Sequence, residues 1–160
     1  MKNLDSDVMT ATVLRVLEEA AFVFAESVEE TEAPDFADSI VVTDLSFAGP
    51  GTDTARGRLI LAANTDWTQE LAANMMGTDP DDPDIQGKGP SSLGELLNMI
   101  GGVLMGDIFG PVATSLGIPR IRTLDASEFA SLSREDSSRV ILATDEGHRI
   151  ELLSVLEEGL

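Results

Sequence analysis

The sequence predicts a two-layer α+β domain in which helices pack on an antiparallel sheet. Three features support this prediction: apolar residues at helical spacing near the start and in the middle of the chain, alternating apolar residues in shorter segments, and Gly- and Pro-rich turns between them. The elements follow the order helix, hairpin, helix, helix and antiparallel strands, which is typical of two-layer folds. Residues 1–160 are predicted to form one domain, because this length suits a single hydrophobic core.

The first element is an amphipathic helix, predicted from Leu4 to Glu32 because apolar residues recur there at helical spacing. Pro34 prevents its continuation. Alternating residues then predict a strand over Ser39–Ala48 and a second strand over Arg56–Ala63. The segment Gly49–Asp53 has turn chemistry, so the two strands are expected to form an antiparallel hairpin.

The middle of the chain contains two predicted helices. The first is short and covers Asp66–Met76. The second is long: it begins near Pro90, which is well placed in a first helical turn, and ends near Phe109. Gly110-Pro111 should break it, and Val112–Leu116 is predicted to resume it.

The C-terminal part is predicted to contain three strands. They cover Arg120–Thr123, Arg139–Thr144 and Arg149–Leu156. The last strand is mostly apolar, and an apolar strand at the edge of a sheet needs cover. We therefore expect self-association, as a homodimer, through sheet or helix contacts.

Charge and composition exclude several classes of function. The net charge is −19, from 29 acidic and 10 basic residues, which opposes binding to nucleic acid or to an anionic membrane. It favours a partner with a basic face, or simply a well-solvated surface. The absence of cysteine excludes disulfides, thiolate catalysis and Cys-ligated zinc. No signal peptide or membrane-spanning apolar run is recognised, so we expect a cytoplasmic protein.

Two features are tempting as metal or catalytic sites but lack the required pattern. The loop 78–89 contains several aspartates, yet it has neither the Gly nor the Glu that an EF-hand loop needs at its sixth and twelfth positions. His148 is the only histidine, and no motif supports a Ser-His-Asp triad through it. The sequence therefore predicts no metal site and no cofactor of the protein's own.

The long helix carries the most informative pattern. On a helical wheel, its leucines and Ile100 fall on one arc, which should face the core. The opposite arc is predicted to contain small and polar residues: Ser91, Gly94, Glu95, Asn98, Gly101, Gly102 and Gly106. Each glycine costs about 1 kcal/mol relative to alanine inside a helix. Two explanations remain open: close packing against another element or subunit, or a bare ridge that lets a partner approach.

Glu95 and Asn98 are three residues apart and should be neighbours on that arc. Glu95 has a structural alternative, because Ser92-x-x-Glu95 matches a capping box if the helix starts at Ser92. Asn98 has no comparable explanation, since asparagine is a weak helix former in mid-helix. An exposed Asn98 without a function remains possible from the pattern alone.

The pattern Ser91-x-x-x-Glu95-x-x-Asn98 resembles the signature of the CheC/CheX/FliY chemotaxis phosphatases. The order of the surrounding elements agrees, so the resemblance covers most of the chain. The chain has one such motif, as in CheX-like members, and the family suggests a dimer. Gly110-Pro111 departs from the family pattern just after the motif helix.

The resemblance implies a substrate, a mechanism and roles for the arc residues. The substrate would be the phosphorylated aspartate of a CheY-like receiver domain, which supplies the Mg²⁺ and an active-site lysine. Asn98 would orient the attacking water and Glu95 would pair with that lysine. Docking would use four further residues of the arc: Ser91, Gly94, Gly101 and Gly102. The alternative is a non-catalytic module of the same fold that binds a receiver or dimerises; Glu95 alone would serve docking, whereas Asn98 argues for catalysis.

Overall fold

The structure is a computed structural model that describes residues 4–51, 56–111, 114–132 and 137–157. Within these ranges the chain forms four α-helices packed on one seven-stranded antiparallel sheet, which confirms the predicted α+β class. The helices are α1 (Ser6–Ala21), α2 (Thr65–Met76), α3 (Gly89–Phe109) and α4 (Ala126–Ala130). The strands are β1 (Ala25–Ser27), β2 (Ser39–Ala48), β3 (Arg56–Asn64), β4 (Ser115–Leu116), β5 (Arg120–Asp125), β6 (Ser137–Thr144) and β7 (Arg149–Leu156).

The sheet is built around the β2–β3 hairpin, whose register runs from Ile40 opposite Asn64 to Ala48 opposite Arg56. The strand order is β1-β6-β7-β3-β2, and β4 and β5 pair with successive parts of the free side of β2. The predicted hairpin and the strands of the second half are confirmed. Thr52 and Asp53 of the predicted turn lie outside the described residues.

The main core lies between one face of the sheet and helices α1, α2 and α3. Buried side chains of the sheet, such as Leu45 and Leu61, pack there with Leu97 and Leu104 of α3. By length and composition α3 could span a membrane, but half of its apolar window is buried inside the domain. A smaller core on the other face of the sheet contains Phe129 of α4. The sheet therefore separates α3 from α4.

The first helix is shorter than predicted. It ends at Ala21, because Phe22 adopts a left-handed conformation with φ 55° and its N–H donates to the carbonyl of Leu17. The chain then forms β1, where Ala25 pairs with Thr144 of β6. The prediction of a helix to Glu32 was wrong, because this pairing overrides the helical periodicity of the segment.

Two further predictions are corrected at the C-terminal side. Gly110 ends α3 with φ 70°, as expected, but Ser115–Leu116 is strand β4 rather than resumed helix; residues 112–113 lie outside the described ranges. Strand β7 is interior, between β3 and β6. The argument for self-association through an exposed β7 edge was therefore wrong.

A buried ion-pair network stabilises the sheet on the face opposite α3. Glu151 is fully buried in β7 and accepts from Arg139 Nε at 2.7 Å and from Arg149 Nε at 3.0 Å. Glu30 Oε2 accepts from both arginines, from Arg139 Nη2 at 3.0 Å and from Arg149 Nη2 at 2.6 Å. The buried carboxylate thus has two guanidinium partners, which is the condition under which burying a charge is tolerated.

Candidate functional site on helix α3

Helix α3 begins at Gly89, so Ser91 of the motif lies in its first turn and Glu95 in its second. Lys88 is its N-cap residue and makes no side-chain capping bond, and Pro90 lies in the first turn. Ser92 is buried, and its N–H already donates to the Lys88 carbonyl at 3.0 Å. A capping box between Ser92 and Glu95 is therefore not formed. Glu95 lies in the second turn, and its side chain does not cap the helix.

One side of α3 fills the core and the other forms an open ridge. Leu93, Leu97 and Ile100 are fully buried, as the helical wheel predicts. The open ridge consists of five exposed residues that follow one another at steps of three or four: Ser91, Glu95, Asn98, Gly102 and Gly106. Its second half carries no side chain beyond hydrogen, so a partner could approach the helix backbone there.

The glycines of α3 fall into two groups, which the wheel did not separate. Gly94 and Gly101 are buried rather than on the open side. A Cβ atom at Gly94 would lie 3.1 Å from Ile121 Cδ1, and one at Gly101 would lie 2.8 Å from Leu45 Cδ2. At Gly102, by contrast, nothing lies within 4 Å of the position of a Cβ atom.

Close packing is therefore confirmed for one pair of glycines, whereas the approach of a partner to the other, open pair stays a prediction. Gly94 and Gly101 let β2, β5 and Leu116 pack closely against the helix. Gly102 and Gly106 leave the ridge open. The prediction that Gly94 and Gly101 lie on the outer face was wrong, because a glycine carries no side chain whose polarity could indicate which side it faces.

Glu95 and Asn98 are both exposed, and neither side chain makes a hydrogen bond or ion pair within the described part of the chain. The other charged residue of α3, Asp107, is paired with Arg15 at 3.3 Å and accepts from Thr12. Ser91 donates its hydroxyl to the Lys88 carbonyl at 3.0 Å, so it supports the start of the helix. The ridge thus presents one carboxylate and one carboxamide that have no bonding partner within the described residues.

The chemistry available on the ridge is that of positioning. A carboxamide both donates and accepts hydrogen bonds, and a carboxylate accepts from a cation. Helix α3, described over its whole length, contains no histidine, cysteine, lysine or arginine. Within its bounds, the helix therefore offers no strong nucleophile and no cation of its own.

The acidic loop and the tryptophan have structural roles. Asp79 Oδ1 accepts from the Asp81 N–H at 3.1 Å, and Asp82 Oδ1 accepts from the Asp84 N–H at 2.8 Å. These are the side-chain-to-backbone bonds by which aspartate stabilises turns. Trp67 is buried in the main core, where it packs with other apolar side chains.

A two-layer α+β domain with an exposed Ser-x-x-x-Glu-x-x-Asn pattern on its central helix defines the CheC/CheX class of domain. The sequence model of one family in this class, described as chemotaxis phosphatase CheX, matches residues 50–144. This match includes the whole of α3 and more than half of the chain, and the chain belongs to the CheX family. No curated protein sequence matches it.

Solved structures share this fold over nearly the whole chain. CheX from Desulfovibrio desulfuricans has a TM-score of 0.68 at 15% identity, and the similarity covers 95% of this chain and 98% of that one. CheX from Vibrio vulnificus has a TM-score of 0.66 at 16% identity, with coverage of 94% and 95%. The CheX–CheY–BeF3–Mg²⁺ complex from Borrelia burgdorferi has a TM-score of 0.63 at 16% identity, with coverage of 95% and 97%.

Proposed function

We propose that this protein dephosphorylates the aspartyl-phosphate of a CheY-like response regulator, with Asn98 and Glu95 as its functional residues. The observation that carries the proposal is their joint exposure on α3 with no partner within the described residues. The next two residues of the same ridge, Gly102 and Gly106, carry no side chain that would keep a partner away from these two groups. Membership of the CheX family and the CheX–CheY complex of Borrelia burgdorferi support this choice of substrate.

The proposed role of Asn98 is to hold the attacking water in line behind the phosphorus. Phosphoryl transfer depends mainly on positioning and on neutralising charge. The carboxamide oxygen can accept from water while the amide N–H₂ faces the phosphoryl oxygens. A carboxylate at the same place would be repelled by the phosphoryl group. Orienting one water in this way contributes roughly 10²-fold to the rate.

The proposed role of Glu95 is docking. Its carboxylate would pair with the receiver's active-site lysine through a charge-assisted hydrogen bond and so fix the register of the two proteins. Asn98 lies on the next turn of the same face, so this register would bring its amide to the phosphoryl group. Gly102 would allow the receiver to approach the helix closely, because no side chain projects there.

The metal ion would arrive with the substrate. A phosphorylated receiver carries Mg²⁺ at its own acidic site, and the complex from Borrelia burgdorferi contains Mg²⁺ together with CheY. Helix α3 contains no lysine, arginine or histidine, which is consistent with a metal ion that the receiver supplies. No cofactor of the protein's own enters the proposed reaction.

The experiment that tests the proposal is the decay of a phosphorylated CheY-like receiver with and without this protein in Mg²⁺ buffer. We expect substoichiometric protein to accelerate the decay with many turnovers. Binding to the receiver without any acceleration would contradict the enzymatic proposal and favour a non-catalytic binding module. A heat-denatured sample of the same protein controls for spontaneous hydrolysis.

A further inference from the structure

Among the residues that the structure describes, the fold brings together three side chains of types that can bind a metal ion, none of them on α3. Glu70 projects from α2, and Glu146 and His148 flank the turn between β6 and β7. One ligand atom from each lies within 4.8 Å of the other two. No local pattern indicates this group, because three strands and two α-helices separate Glu70 from the other two residues in the chain.

The turn that carries two of these residues is held by several hydrogen bonds. Gly147 donates its N–H to the Thr144 carbonyl at 2.9 Å and has φ 89°, and the His148 N–H donates to Thr144 Oγ1 at 3.0 Å. The Asp145 N–H donates to the Phe24 carbonyl at 3.0 Å, which ties the turn to the preceding segment. Glu146 and His148 therefore project from a backbone that is already ordered.

The third side chain is positioned by the packing of α2. Trp67 and Leu71 are buried on either side of Glu70 in sequence, so they fix the rotation of the helix. The Glu70 carboxylate then lies 3.9 Å from His148 Nε2. This distance is too long for a hydrogen bond. It also exceeds, by a small amount, the separation of about 3.3 Å between two ligands of one tetrahedral zinc ion. A small rotation of the half-exposed Glu70 side chain would bring both atoms to bonding distance.

We propose that Glu70, Glu146 and His148 form a site for a zinc-class divalent cation. One imidazole and two carboxylates make a ligand set that suits zinc better than magnesium or calcium, which prefer oxygen ligands alone. The net charge of −19 raises the local concentration of any cation near the protein.

The site has three protein ligands and opens on a cavity of about 340 Å³, lined among others by Phe24, Trp67, Glu70 and Glu146. Three protein ligands leave a fourth position of a tetrahedral ion for water or for a donor that enters the cavity. The cation would also link α2 to the β6–β7 turn, so its binding should raise the melting temperature. This site is independent of the proposed reaction on α3.

The test is a titration of the full chain with Co²⁺ and Zn²⁺. Trp67 is the only tryptophan and lines the same cavity, so Co²⁺ binding should quench its fluorescence, and one equivalent of Zn²⁺ should restore it. We expect one ion per chain, and we expect His148→Ala and Glu70→Gln each to weaken binding at least about tenfold. Mg²⁺ at millimolar concentration should not compete.

The matched control is Asp81→Asn in the acidic loop, which should bind Co²⁺ as tightly as the wild type. Melting curves of the metal-free variants verify that each one is folded. The proposal would be overturned if the wild type failed to bind either ion at about 100 µM, if His148→Ala bound as tightly as the wild type, or if Asp81→Asn weakened binding as much as Glu70→Gln.

Discussion

Gly101 of α3 lies directly against Leu45 of β2: a Cβ atom at Gly101 would be 2.8 Å from Leu45 Cδ2 and 3.3 Å from Leu116 Cδ2. The next residue, Gly102, has nothing within 4 Å of the corresponding position. Two adjacent glycines therefore have opposite functions. One allows the helix to pack on the sheet, and the other keeps the outer ridge bare.

This contrast predicts stability changes of opposite sign. Gly101→Ala should destabilise the domain by about 1 kcal/mol, because overpacking of about 1–3 kcal/mol exceeds the gain in helix propensity. Gly102→Ala should stabilise it by about 0.5–1 kcal/mol, since alanine restricts the unfolded chain and meets no neighbour. Urea unfolding followed by circular dichroism measures both, and equal changes in the two variants would contradict the packing described for α3.

The open ridge predicts a separate effect on receiver binding. Gly102→Leu should raise the melting temperature slightly, as alanine does, yet weaken binding to a phosphorylated receiver about tenfold or more, because the leucine would obstruct close approach to the helix. Ala11→Leu, on an exposed position of α1, is the matched control. Affinity can be measured by calorimetry with a beryllofluoride–Mg²⁺ receiver. Unchanged affinity of Gly102→Leu would remove Gly102 from the proposed docking surface.

The buried ion-pair network predicts a loss of stability without a loss of function. Glu151→Gln should destabilise the domain by about 3 kcal/mol, since Arg139 and Arg149 would lose a fully buried counter-charge. The network lies across the sheet from α3, so the proposed phosphatase activity per folded molecule should not change. Glu26→Gln, at an exposed position of β1, is the control for charge alone. A change below about 1 kcal/mol in Glu151→Gln would contradict the assigned role.

Much of the fold could be predicted from the sequence, because local patterns determined it. Alternation over Ser39–Ala48 and the turn residues after it predict the hairpin, and Gly110 marks the end of α3. The end of α1 could not be predicted in this way. No glycine or proline lies near Phe22, and the segment after it leaves helical geometry only because β1 finds a partner in β6.

The site was predicted in part for similar reasons. The polarity of Glu95 and Asn98 indicates their side of the helix, and both are exposed as expected. Glycines carry no such information, so the burial of Gly94 and Gly101 becomes evident only when β5 and Leu116 are in place. The interior position of β7 and the approach of Glu70 to His148 depend on the order of strands, which no local pattern determines.

Docking through Glu95 predicts a loss of affinity with little effect on the fold. Glu95→Ala should weaken receiver binding by about 1.5–3 kcal/mol, the range for a hydrogen bond to a charged group. Because one ion pair is lost, the affinity of the variant should depend less on salt than that of the wild type. Glu19→Ala, at an exposed position of α1, should retain both the affinity and its salt dependence. Equal affinities of Glu95→Ala and Glu19→Ala would contradict the docking role.

The central claim is that Asn98 orients the attacking water, and the most direct test separates turnover from affinity in Asn98→Ala. We predict that turnover of a phosphorylated receiver falls roughly 10²-fold while affinity for the receiver remains within about twofold, because the lost interaction forms only in the transition state. Asn74→Ala, at an exposed position of α2, should retain full activity. Full turnover in Asn98→Ala, or a loss of affinity that accounts for the whole loss of activity, would contradict the claim.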